Sequence, residues 1–343
     1  MISRGCESDE KDALGDRDPP PGVHRLRRRG PDRELFVLRV SEGTGTKRRE
    51  PRELPGSPGG ALASGDLGQG FSFLVEARFR SESKFELEQA LAGFRLGASG
   101  DLRIGLFLVP FGKYNESNRP QQTVLVGTPL NIEAAYPESW RDIGITAQGR
   151  VGFLRYATYF ANGLGEKDGA AAVQLFRDIN KDKAKGGRLG FIAGEGFEVG
   201  VSYYSGKYDA DNALGLTLEG ADLTWVTKDY EVRGEYTRGL WKNPGGAPDG
   251  KASGFFGLVA LYLGKIQPVA SFQRWDPGDT GAGLRLDALE GGAEILGGRS
   301  RWALGVRYYL SPTFIVKAEY DINKEKSLAL RNNLVRIQAA ISF

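Results

Sequence analysis

The chain has 343 residues, 40% of them hydrophobic and 26% charged, and its 46 basic against 43 acidic side chains leave a net charge of +3, too balanced to argue for a nucleic-acid partner. Cysteine, histidine and methionine occur once each, at Cys6, His24 and Met1, so everything past residue 24 lacks a thiol nucleophile, a disulfide, a Cys/His zinc set and a histidine base. No uncharged stretch exceeds 13 residues, the length of Ala252–Gly264, against the roughly 20 of a bilayer-crossing helix, which excludes helical membrane proteins but not barrels.

Residues 1–70 come first and read unlike the rest. They hold 7 of the 16 prolines, eleven arginines against two lysines, and a single aromatic, Phe36. The apolar cluster Leu35–Leu38 is cut by Arg39 and is too short for a secretory core. Such a composition cannot bury enough apolar surface to offset its ordering entropy, so disorder is expected over 1–70. A segment that is not native coding sequence, from an upstream start or a shifted frame, is an alternative source of the same Arg/Pro/Gly bias.

From residue 71 the period is two. Phe71, Phe73, Val75 and Ala77 alternate with Ser72, Glu76 and Arg78; Trp302, Leu304, Val306 and Tyr308 alternate with Arg301, Ala303, Gly305 and Arg307. Successive strand side chains point to opposite faces, so each segment has an apolar and a polar face. The pattern predicts about fourteen strands, near 71–80, 84–96, 101–109, 142–151, 153–161, 187–193, 197–205, 218–227, 229–238, 254–263, 266–275, 300–310, 313–322 and 333–343. No amphipathic helix of ten or more residues separates them, so the sheet should be antiparallel and joined by hairpins.

The connections then decide the class. From residue 97 onward they alternate short and long, as in a bacterial outer-membrane barrel with periplasmic turns on one side and extracellular loops on the other. Thirty-five of the 36 aromatics fall in 71–343, many near strand ends where barrels carry their girdles. The expected fold is all-β, an antiparallel transmembrane β-barrel over 71–343. Phe343 closes the outward row Val335–Ile341 and resembles the C-terminal signal by which the barrel-assembly machinery recognises its clients.

Residues 84–160 carry a resemblance. Leu102-Arg103-Ile104-Gly105-Leu106-Phe107-Leu108-Val109-Pro110-Phe111-Gly112-Lys113-Tyr114 leads into a long loop, and Pro137-Glu138-Ser139-Trp140-Arg141-Asp142-Ile143-Gly144 leads out of it. This resembles the phosphate-selective porins O and P. The resemblance implies an outer-membrane barrel of a Gram-negative bacterium, commonly of sixteen strands and often a homotrimer, with lipid and small polar or anionic solutes, phosphate among them, as partners. The chain departs from that family in its fourteen visible strands and its lack of a signal peptide; N-terminal strands replaced by residues 1–70 would account for both.

Candidate pore residues follow. The inward rows carry Arg78, Arg80, Arg103, Arg150, Arg188, Arg233, Arg301, Arg307, Lys317 and Arg336, and they share the interior with Glu76, Asp142, Glu198, Asp222, Glu231, Glu235, Glu319 and Asp321. Ten against eight does not fix a selectivity, because rings at the narrowest point decide it; charges that only solvate the lumen and pair across strands are the competing reading. Residues 110–141 are the longest connection, stiffened by Pro110, Pro120, Pro129 and Pro137 and bearing apolar Val124-Leu125-Val126. Folded inward, this loop would bring Lys113 and Arg119 to the pore axis; packed over the rim or on a neighbouring subunit, it would not.

Local motifs add little. Asp178-Ile179-Asn180-Lys181-Asp182 begins like a calcium loop but continues with Lys183 where glycine belongs and has Leu189 at the position of the closing glutamate. No nucleotide fingerprint is present and no cofactor is expected. Barrel phospholipases and proteases rely on histidine, and His24 lies in the N-terminal segment, so no enzymatic role is expected. The leading function is a passive water-filled channel. A structural or adhesive barrel acting through its long loops is the alternative, and a secreted β-sandwich a third.

Overall fold

The computed structural model describes residues 37–45, 59–80, 84–167, 170–174, 177–278, 298–326 and 332–342. In chain order the elements are β1 (Val37–Gly45), β2 (Gly59–Gly68), β3 (Phe71–Arg80), β4 (Lys84–Leu96), β5 (Gly100–Leu108), α1 (Leu130–Ala135), β6 (Arg141–Val151), β7 (Leu154–Ala161), β8 (Leu164–Lys167), β9 (Ala170–Gln174), β10 (Ala184–Ile192), β11 (Phe197–Lys207), β12 (Gly215–Val226), β13 (Tyr230–Trp241), β14 (Gly250–Leu261), β15 (Ile266–Asp276), β16 (Arg299–Ser311), β17 (Phe314–Glu325) and β18 (Leu334–Ser342). Sixteen of these described strands close one antiparallel barrel, with β1 against β18, while β8 and β9 form a separate two-stranded sheet between β7 and β10.

The alternation sorts itself inside out. Ile104, Val201, Val259, Trp302 and Val335 lie exposed on the outer face, whereas Glu198, Asp222, Glu235, Arg301, Lys317 and Asp321 are buried on the inner one. An outer apolar band and a polar interior are what a bilayer-spanning barrel requires, since closure leaves no unpaired backbone in hydrocarbon. Short turns at 69–70, 97–99, 152–153, 193–196, 227–229, 262–265 and 312–313 share one end; the other end carries the longer connections, together with the three-residue link between β3 and β4.

The N-terminal reading is corrected in part. Residues 37–45 and 59–68 are strands, so the barrel begins before residue 71 and the two strands missing from the sequence count come from the segment expected to be disordered. The period-two signal is weak there because β2, Gly-Gly-Ala-Leu-Ala-Ser-Gly-Asp-Leu-Gly, has small side chains on both faces. Gly65 explains one of them: a Cβ there would stand 2.6 Å from the Phe73 ring, which lies over the glycine backbone from β3. Residues 1–36 and Phe343 lie outside the described residues.

Candidate functional site

Between β5 and β6 the chain leaves the wall and runs through the lumen as an internal strap, Val109–Trp140. Its two ends are joined by Asn115, whose amide nitrogen donates to the carbonyls of Val109 (2.8 Å) and Trp140 (2.9 Å) and whose Oδ1 accepts the Trp140 backbone N–H (2.8 Å). Glu235 of β13 then receives the next turn: Oε2 accepts the N–H groups of Lys113 and Tyr114, each at 3.0 Å, and Oε1 accepts the Tyr136 hydroxyl at 2.9 Å. The turn passes so close to that carboxylate that Gly112, at φ +64°, leaves no room for a Cβ.

The remaining anchors go around the wall. Gln121 donates to the Ile341 carbonyl (3.0 Å), Lys317 Nζ to Thr123 (2.9 Å), and the Val126 and Gly127 N–H groups to Glu319. Arg301 donates to the Thr128 carbonyl (3.2 Å), Leu130 N–H to Gln273 (3.1 Å), and Asn131 to Thr237 (3.3 Å). Beneath them Val124, Leu125, Leu130 and Ile132 are buried in one apolar cluster with Phe256, Leu258, Val269 and Trp275 of β14 and β15. Each large side chain so buried contributes about 1.5–3 kcal/mol. Strand β14 can offer this seat because Ala252, Phe256, Leu258 and Ala260 make its inner face apolar as well as its outer one.

The strap decides which of the anticipated cations remain open. Arg119 reaches Glu76 through two hydrogen bonds of 2.7 and 2.6 Å. Burial alone would lower its pKa, but the hydrogen bonds and charge of Glu76 outweigh burial and raise it, so Arg119 is a fixed cation. Lys113 Nζ lies 2.9 Å from Glu116 and 3.7 Å from Glu198. Arg78 meets Glu88 at 2.9 Å and donates to Ser139 and Asn118, and Arg233 pairs with Glu231 and reaches Ser117 of the strap. Arg307 donates to the Gln121 carbonyl, and Arg336 meets Asp321 at 3.0 Å. All of these hold the strap or answer wall carboxylates.

The wall opposite is different. Between the strap segment 110–119 and strands β4–β7 and β10 lies a cavity of about 450 Å³, lined by Arg103, Arg119, Arg150, Arg155 and Arg188 with Glu116 as the one carboxylate among its described lining residues. Arg188 is answered by Asp222 and by Glu198 at 2.6 Å, and Arg155 shares Glu198 at 3.0 Å. Arg103 has Asp101 at 3.6 Å, and Arg150 donates to the Gly152 carbonyl at 2.8 Å. In the ladder Arg150 stands directly opposite Arg155. Like charges placed so are destabilising unless something negative comes between them. The sequence reading listed Arg103 and Arg150 but missed Arg155, although its place between outward Leu154 and Tyr156 marks it as inward.

The calcium-like segment is tied up internally. Asp182 accepts the Lys207 N–H (3.0 Å), Asn180 donates to the carbonyls of Lys207 and Asp209, and Lys183 pairs with Asp178. Among the described residues no group of three His, Cys, Asp or Glu side chains could hold a metal ion.

The barrel, its internal strap and its polar lumen define the fold of the outer-membrane porins. Solved structures agree. In-vitro folded OmpT of Vibrio cholerae, in its trimer form, superposes with a TM-score of 0.66 at 11% identity, covering 91% of this chain and 100% of that one. OmpF of Salmonella typhi gives 0.64 at 12%, covering 90% and 97%. An anion-selective porin from Comamonas acidovorans gives 0.61 at 14%, covering 90% and 98%. No family model matches the chain. An uncharacterized protein of Aquifex aeolicus (strain VF5) is 26% identical over 190 residues, 48% of this chain, so the chain spans 44% of that relative's length.

Proposed function

We propose that the protein is a passive channel in the outer membrane of a Gram-negative bacterium, selective for small anionic solutes. The observation that carries this reading is the lining of the 450 Å³ cavity, above all Arg150 directly opposite Arg155 with Arg103 close by. A passing anion between those guanidinium groups relieves their mutual repulsion and forms charge-assisted hydrogen bonds as it goes. Exchange of one anion for the next keeps such a site conducting. In this reading Lys113 and Arg119 hold the strap edge that bounds the passage, and Arg119 adds its own charge to the lining. Phosphate is the first solute to test, because residues 84–160 resemble the phosphate-selective porins. Assembly as a homotrimer, with the barrel-assembly machinery acting on Phe343, belongs to the same proposal.

Planar-bilayer recording of refolded protein tests it. The expected result is stable channel steps with a reversal potential on the anion side under a salt gradient, and a current reduced by added phosphate. Absence of channel steps would favour the structural or adhesive barrel, and a cation-side reversal potential would remove the anion assignment.

A further inference from the structure

Glycine recurs on the inner face of β10 and β11, where the wall borders the passage. The inward row of β10 reads Ala184, Gly186, Arg188, Gly190, and that of β11 reads Glu198, Gly200, Ser202, Tyr204, Gly206. Two of these glycines meet in the ladder. Gly190 is paired with Gly200, and Gly200 on its other side with Asp222 of β12. Arg188 explains both. It donates from Nε to Asp222 at 2.8 Å and from Nη1 to Glu198 at 2.6 Å, so its side chain has to cross β11 to reach a carboxylate two strands away, about 10 Å. A Cβ on Gly200 would stand 2.4 Å from Arg188 Nη2 and 2.6 Å from Asp222, and a Cβ on Gly190 2.8 Å from Arg188 Nη1. Neither glycine has a positive φ, so no turn or strain calls for glycine at these positions; the space beneath the guanidinium does.

Arg188 thus lines the passage lying flat on two bare Cα atoms, and it is buried there. In that posture it takes little of the bore. At about 30 Å³ per water, the 450 Å³ cavity has the volume of about fifteen waters, far more than a phosphate or a sulfate fills. The lining is also more than guanidinium. Gln148 satisfies Arg103 when its amide oxygen faces Nη1 and Nη2, 3.1 Å from each, and its amide N–H groups then serve a solute hydroxyl.

We propose that Gly190 and Gly200 set the bore of the passage, and that the bore admits hydroxylated organic anions the size of a sugar acid. The carboxylate of such a solute passes between Arg150 and Arg155 while its hydroxyls meet Gln148. A methyl group at either glycine lifts Arg188 off the wall: going from 2.4 Å to an ordinary contact near 3.5 Å moves the guanidinium about 1 Å into the passage. The inference rests on the anion-channel reading and adds to it the size and class of the solute.

The test is single-channel recording of the full-length refolded barrel in potassium chloride and in potassium gluconate. The parent is expected to conduct both anions. G200A is expected to keep its heat-modifiable mobility and its anion-side reversal potential but to lower the gluconate-to-chloride conductance ratio roughly twofold, because a narrowed bore weighs most on the larger solute. G190A reaches Arg188 from the neighbouring strand and is expected to do the same, so the test stands if one of the two variants fails to insert. R188A removes the side chain that would be lifted, and R188A/G200A is therefore expected to show the ratio of R188A alone. An unchanged ratio in correctly inserted G200A or G190A, or an equal fall when Arg188 is absent, would overturn the role of the glycines. A parent that passes chloride and not gluconate would overturn the solute class. No channel steps in the parent would bring down the anion-channel reading itself, and this inference with it.

Discussion

Arg103 and Arg150 offer the cleanest perturbation of the passage, because neither belongs to the buried network around Glu198. A cavity of 450 Å³ corresponds to a sphere of about 5 Å radius, so an ion at its centre lies about 6 Å from a lining guanidinium. At that distance in water-like surroundings each unit charge is worth about 0.7 kcal/mol, and physiological salt roughly halves it. Reversing both residues to glutamate shifts a passing anion by four such charges, about 1.3 kcal/mol, and a cation by as much the other way. The anion-to-cation permeability ratio of R103E/R150E should therefore fall by between one and two decades. The reversal potential in planar bilayers under a potassium chloride gradient reads this directly. Single-channel steps persisting with an unchanged reversal potential would show that ions do not pass this wall, and the reasoning would fail.

Four other outcomes are expected. Glu235→Ala removes three hydrogen bonds to the strap, about 3–5 kcal/mol of anchoring, and should raise single-channel noise and speed tryptic cleavage after Lys113. Reversing Lys113 and Arg119 to glutamate together strands Glu76 and Glu198 beside new carboxylates, so noise should rise along with a cation-ward reversal potential; a quiet channel with wild-type selectivity would place the strap edge outside the conduction path. In the β11–β12 loop burial works against ionisation of Asp209, but the N–H groups of Leu214 and Ala213 outweigh it and hold its pKa below the ordinary value. That loop contact is then fully present above the ordinary aspartate range and lost as pH falls through the lowered pKa, which carboxyl titration by NMR should show as a midpoint below that of a free aspartate. Deleting Phe343 should reduce membrane insertion more than removing an aromatic from a long loop, measured by fractionation and heat-modifiable mobility.

Most of the barrel is legible because a bilayer imposes the same alternation on every strand that spans it, and Trp302, Val335 and their neighbours declare the outer face by residue type alone. Strand β2 is not, since Gly65 makes room for the Phe73 ring and the other small residues of the strand give neither face an apolar row. Inward charges such as Arg307 and Lys317 can be placed on their face from period two. Their partners cannot, because Gln121 and Thr123 come from a loop whose path depends on the whole wall. One signal for that path was present: the inner row of β14, Ala252, Phe256, Leu258 and Ala260, carries no polar side chain and has no reason to exist in a water-filled lumen unless something dry packs against it. Arg155 illustrates the other limit. Its inward direction was readable, but its confrontation with Arg150 required the register of the β6–β7 hairpin.

The strap also orders assembly in time. Asn115 and Trp140 are 25 residues apart and can meet as soon as the β5–β6 pair forms, whereas Leu130 must wait for Gln273, Val126 for Glu319 and Gln121 for Ile341, separations of 143, 193 and 220 residues. Contacts that distant form late, since the intervening chain must first be brought together. Until β14 and β15 are in place, Val124, Leu125, Leu130 and Ile132 lack the apolar surface they occupy in the finished barrel, and the polar anchors on β17 and β18 come later still. The wall from β14 to β18 therefore comes before the narrowing: the strap is the last part of the lumen to find its place, although its own residues belong to the first half of the chain to be made.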